Sequence, residues 1–71
     1  MELIQLLKPN IKVKLAELDM KHQDLAEKLG VTKQTISLWV NGKSLPSLET
    51  AFILADYLNC KVDDLFTYIK D

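Results

Sequence analysis

With 71 residues, 48% of them hydrophobic, the chain has material for one small core and too little length for a second lobe or a separate ligand-sensing domain. Nine Lys, no Arg and ten acids leave a formal charge of -1, which excludes the overall basic balance usual in nucleic-acid binders and throws the weight onto how charge is distributed. One cysteine, Cys60, excludes an internal disulfide and, without clustered His or Cys, leaves no expectation of a zinc site or other metal; a reducing cytoplasm suits such a chain.

The opening run from Met1 to Lys8 is apolar, but Gln5 interrupts it and Lys8 and Pro9 close it. It is too short to span a membrane and lacks the basic start of a secretion signal, so it reads as an extension (residues 1–8) of a single domain covering 1–71. Helix 1 is expected from Pro9 or Asn10, because Pro suits a first turn, with Ile11, Leu15 and Leu18 at helical spacing. Helix 2 is expected over about 22–29 and helix 3 over about 33–40, closed by Asn41-Gly42. Ser47 can cap helix 4, which runs to about Leu58 and is expected to bury Leu48, Ala51, Phe52, Ala55 and Leu58. Asn59-Cys60-Lys61 ends it. Helix 5 follows from Val62 or Asp63, with Leu65, Phe66 and Ile69 as its apolar face. No strand alternation stands out, and the expected class is all-α with five short helices.

Helices 2 and 3 carry the most specific pattern. Ala26, Gly30, Ile36 and Trp39 stand at the separations of a helix-turn-helix. Ala26 is small where two helices must approach. Gly30 accepts positive φ without a Cβ clash, so the chain can reverse through Val31. Thr32 can then cap helix 3 by accepting a hydrogen bond from a free backbone N–H in the next turn. At about 100° per residue from Lys33, Ile36, Trp39 and Val40 share one side of helix 3, while Lys33, Gln34, Ser37 and Leu38 share the other. The outward set suits base edges: Gln can bond adenine at N6 and N7, Lys can reach guanine O6 and N7, Ser can pair with several bases, and Leu can pack on a thymine methyl. The plain alternative is the solvated outer face that any small helical bundle shows.

From about Ile11 to Phe66 the chain resembles the lambda-repressor-like, or xenobiotic-response-element, helix-turn-helix regulators. The resemblance is carried by the run from Asp24 to Thr32, by Thr35-Ile36-Ser37, Trp39 and Asn41-Gly42-Lys43, by Pro46-Ser47-Leu48-Glu49-Thr50, Ala55 and Leu58, and by the run from Val62 to Phe66. It implies a five-helix DNA-binding domain that dimerises and regulates transcription. The family's base-reading positions fall on Lys33, Gln34, Ser37 and Leu38, and its phosphate positions on His22, Thr32, Thr35, Asn41 and Lys43. Two residues depart from the family's habit. His22 stands where Gln is usual, which predicts DNA affinity that strengthens as the imidazole charges. Val40 stands where Glu is common, removing an ion pair of small worth, about 0 to 1 kcal/mol.

Charge is polarised along the chain: residues 8–43 hold seven Lys and four acids, whereas 44–71 hold two Lys and five acids. Such polarity orients a domain on a phosphate surface despite the small net charge. Apolar residues at the two ends, Leu3, Ile4 and Leu7 with Phe66, Tyr68 and Ile69, exceed the obvious need of the core. A homodimer interface is the functional reading and a thickened core the structural one; a dimer would set two recognition helices about 34 Å apart on a palindromic operator. An enzyme is not expected. The only His has no evident nucleophile or carboxylate partner, and Gly30 and Gly42 are too far apart for a phosphate loop. No cofactor is implied. The competing reading is an antitoxin, whose acidic half (Glu49, Asp56, Asp63, Asp64) would bind a basic toxin or another protein partner. A cytoplasmic repressor of bacterial or phage origin is the expectation overall.

Overall fold

The computed structural model describes residues 6–69. Four helices run through α1 (Ile11–Glu17), α2 (His22–Leu29), α3 (Lys33–Val40) and α4 (Leu48–Tyr57), followed by a single turn, α5 (Val62–Leu65). A short strand stands at each end, β1 (Leu7–Pro9) before α1 and β2 (Phe66–Tyr68) after α5. They pair antiparallel with Leu7 opposite Tyr68, Lys8 opposite Thr67 and Pro9 opposite Phe66. The all-α expectation is therefore approximate. The expected fifth helix stops at Leu65 because Phe66 turns to extended geometry (φ -140°, ψ 138°) and its chain pairs with the segment entering α1. The Asn10 N–H bonds the Leu65 carbonyl at 2.7 Å and its side-chain amide bonds the Thr67 hydroxyl at 2.9 Å, locking the two ends together.

The four longer helices stop in the same way. A residue with left-handed φ, Asp19, Gly30, Gly42 or Asn59, follows each helix. The next N–H then reaches back five residues: Met20 to the Leu15 carbonyl, Val31 to Ala26, Lys43 to Leu38 and Cys60 to Ala55, at 2.8–3.0 Å. Carbonyls that have no partner within the helix are thereby satisfied. Asp and Asn tolerate this conformation better than other side chains do, which is why only two of the four stops read as glycine in the sequence. Helix starts are equally local. Ser47 accepts from the Thr50 N–H at 3.1 Å, and the Asp24 and Asp64 carboxylates reach back to the N–H groups of Lys21 and Lys61, each at 3.0 Å.

Ile11, Leu15, Leu25, Ala26, Ile36, Trp39, Leu54, Ala55, Leu58 and Leu65 form one buried core drawn from all five helices. Leu18, expected on the buried face of α1, caps that helix instead and is exposed. The face of α4 also differs from expectation. Leu48 and Phe52 are 73% and 62% exposed, while Leu54 is fully buried in their place. The buried stripe is Ala51, Leu54, Ala55 and Leu58, which recurs at three- and four-residue steps. Because α4 is apolar on almost every side, its pattern does not choose a face, and the neighbouring helices do. Leu54→Ala should cost about 2–5 kcal/mol in urea unfolding, whereas Leu48→Ala, measured at a concentration where the chain is monomeric, should change stability by no more than about 0.5 kcal/mol.

Candidate nucleic-acid interface

The helix-turn-helix forms over the residues expected. α2 and α3 match their predicted spans, and their mutual contact is the most extensive between helices of the described chain. Ala26 is buried at that crossing, consistent with its small size permitting close approach. Gly30 turns the chain at φ 72°. A Cβ there would meet open space, so the demand for glycine comes from the backbone angle and not from crowding. Thr32 caps α3: its hydroxyl accepts from the Thr35 N–H at 3.1 Å and pairs with the Thr35 hydroxyl at 2.9 Å.

Helix α3 divides as its sequence predicts. Ile36 is fully buried and Trp39 nearly so, and Val40 packs against the core from a half-buried position. The apolar residue where an acid is common in the family therefore contributes packing in place of a surface ion pair. On the other side Lys33 and Gln34 are exposed, Ser37 is half-buried and Leu38 is 43% exposed. Such exposure is ordinary for a single leucine, and Leu48 and Phe52 are more open than Leu38. Thr32, Asn41 and Lys43 are exposed, with Thr35 and His22 half-buried. Thr32 and Thr35 sit together at the start of α3. Asn41 and Lys43 sit together at its end, where the Asn41 amide donates to the Ser37 carbonyl at 2.9 Å and the Lys43 N–H to the Leu38 carbonyl at 2.8 Å.

One contact was invisible in the sequence. His22 Nδ1 lies 3.3 Å from the Ser37 hydroxyl oxygen, across the α2–α3 crossing. The expectation that the only histidine lacks a hydroxyl partner is thus corrected. Fifteen residues separate the two, and only the crossing angle of the helices brings them together. Among the described residues no carboxylate orients the pair as in hydrolytic triads: the Asp24 carboxylate accepts from the Lys21 N–H. A second contact without a sequence signal places the Lys28 ammonium 5.8 Å from the centre of the Tyr57 ring, tying α2 to α4.

The remaining chemistry-bearing residue is Cys60. Burial pushes its thiol above the ordinary value, with Lys14 opposing the rise and Asp64 and Glu17 adding to it. A thiol held protonated is a weak nucleophile and a poor metal ligand. Among the described residues no three His, Cys, Asp or Glu side chains gather to hold a metal ion, and no helix is long and apolar enough to cross a membrane.

Residues 11–65 match the helix-turn-helix family. The chain belongs to that family. It is 40% identical over 65 residues to a protein of Methanocaldococcus jannaschii named an uncharacterized HTH-type transcriptional regulator, covering 92% of this chain and 98% of that one. A protein of Archaeoglobus fulgidus with the same description is 34% identical over 65 residues, covering 92% of each. The fold is also similar to a crystal structure of a protein from Bacteroides fragilis described as a candidate DNA-binding protein, with TM-score 0.81 and 38% identity over 86% of this chain and 98% of that one. The resemblance to xenobiotic-response-element regulators is thereby upheld. With sequence relatives in archaea and a structural one in a bacterium, family membership does not confine the source to bacteria or phage.

Removing the α3 cap by Thr32→Ala should lower stability by about 0.5–2 kcal/mol in urea unfolding, and Thr32→Ser should restore most of the loss.

Proposed function

We propose that this chain is a sequence-specific double-stranded DNA-binding regulator of transcription, acting as a homodimeric repressor in the cytoplasm. The observation that carries the reading is the exposed face of α3 in a family helix-turn-helix: Lys33, Gln34, half-buried Ser37 and exposed Leu38 stand on one side of a helix anchored by Ile36 and Trp39. In this reading α3 lies in the major groove and those four residues meet base edges. Thr32 and Thr35 at its start, His22 at the start of α2 beside Ser37, and Asn41 and Lys43 at the end of α3 meet phosphates around it. The basic first half of the chain then faces the duplex and the acidic second half points away.

Apolar surface supports a dimer. Leu7, Phe66 and Tyr68 line a shallow groove of about 410 Å³ with Leu45, Pro46 and Leu48, and Tyr68 and Ile69 are 62% and 45% exposed. Phe66 packs partly against the core, as the thickened-core reading has it, and its remaining surface lines the groove. Leu3 and Ile4 lie outside the described residues. A second copy related by a two-fold axis would cover this surface and space two α3 helices about 34 Å apart, one turn of DNA.

Site selection from a random duplex pool should enrich a palindromic motif. Gln34→Ala should cost about 1–3 kcal/mol at the selected site and blur one base pair in each half, whereas Lys43→Ala should weaken all sequences alike and flatten the salt dependence by about one unit of slope. Equal losses on every DNA for both variants would overturn these roles, and no enrichment would favour a protein partner over DNA. Sedimentation at high micromolar concentration should give the dimer mass, falling toward the monomer in Tyr68→Ser/Ile69→Ser.

A further inference from the structure

The contact between His22 and Ser37 joins a titratable ring to a residue on the base-facing side of α3, and a hydroxyl is both donor and acceptor. Which of the two Ser37 offers outward depends on what the imidazole takes from it. We infer that His22 sets the hydrogen-bonding polarity of Ser37, and so decides which base Ser37 selects. The inference rests on the DNA-binding reading above.

Phosphate oxygens only accept hydrogen bonds. With Nδ1 engaged by Ser37, the nitrogen that His22 can turn to a phosphate is Nε2, which must then carry a proton. A neutral ring protonated on Nε2 leaves Nδ1 as an acceptor, so the Ser37 O–H points inward to it. Ser37 then presents only lone pairs to the groove. Those pair with the exocyclic amino groups of adenine or cytosine, the two major-groove donors. When the ring takes a second proton, Nδ1–H donates to Ser37 Oγ, and the hydroxyl hydrogen must swing outward. It now meets acceptors, O6 or N7 of guanine, N7 of adenine and O4 of thymine, so cytosine is disfavoured and adenine no longer stands above guanine or thymine. The proton comes from solvent and no covalent bond changes. Histidine is the side chain whose charge ordinarily changes between about pH 5 and 8.

Around the pair, the exposed charged groups include Lys21 next to His22, Lys12 on α1 and Lys43 after α3. On α2 itself Asp24 bonds the Lys21 N–H, Glu27 accepts from the Gln23 amide at 3.1 Å, and Lys28 lies over Tyr57 of α4. Lys33 is the one charged residue on α3, and it is exposed. On α1, Lys14 pairs with Glu17 at 3.5 Å. None of these carboxylates bonds His22 among the described residues, so the proton that the ring gains is felt first by Ser37.

The test is site selection with the intact chain at about pH 8 and about pH 5.5, comparing wild type with His22→Gln and Ser37→Ala. In wild type, one position of each half-site should favour adenine or cytosine at the higher pH and lose that preference about five- to tenfold at the lower, with the rest of the motif unchanged. His22→Gln, which keeps an amide for the phosphate and an oxygen for the serine hydroxyl, should hold the adenine or cytosine preference at both. Ser37→Ala should show little preference there at either pH. A motif whose every position is the same at both pH values in wild type overturns the inference and leaves the DNA-binding reading intact. A pH-dependent position that persists in His22→Gln also overturns it. Failure to enrich any motif at either pH overturns both.

Discussion

Everything the candidate interface can do depends on how α3 is held, and what holds it is the insertion of Ile36 and Trp39 into the core against α2. A helix of eight residues is too short to be stable alone in water, so its existence and its orientation both come from that packing. Ala26 permits the two helices to approach, and the left-handed residue Gly30 aims the second helix at the right angle. The backbone that carries the outward residues of α3 is fixed because the inward ones are buried. A recognition surface made this way incurs little ordering cost on binding, since its backbone is already in place.

The same economy governs the rest of the chain. Four helices end on a left-handed residue with an N–H reaching back to the last free carbonyls, and the fold stays small because no loop is needed to satisfy those groups. The two ends of the described stretch are joined by a three-residue ladder and by Asn10, which bonds both the backbone of Leu65 and the side chain of Thr67. This pairing covers backbone at the base of α1 and α5, and it places Phe66 against the core while leaving Tyr68 outside. The apolar surface that remains around β2 and the start of α4 is the price of so small a core, and it is where a second copy is proposed to dock.

Much of the site was legible in the sequence because its signals are local. The N-cap at Thr32, the glycine stop at Gly30 and the polar face of α3 each depend on residues within a few positions, and the spans of α2 and α3 came out as predicted. Helix 4 was only half legible. Its start at Ser47 is a local signal, but its nearly uniform apolar composition gave Leu48 and Phe52 the same claim to burial as Leu54. The strand at Phe66 was hidden for a different reason: a three-residue ladder has no periodicity to detect, and its partner lies at the other end of the chain.

The sequence by itself determined where α2 and α3 start and stop and where α4 starts, which family the helix-turn-helix belongs to and which side of α3 is polar, because capping, backbone angle and helical period act over a few residues. Only the tertiary structure decided which face of α4 is buried, that the ends pair as strands and that His22 meets Ser37 across fifteen residues. Those outcomes depend on the crossing of elements distant in sequence, and no local pattern encodes a crossing angle.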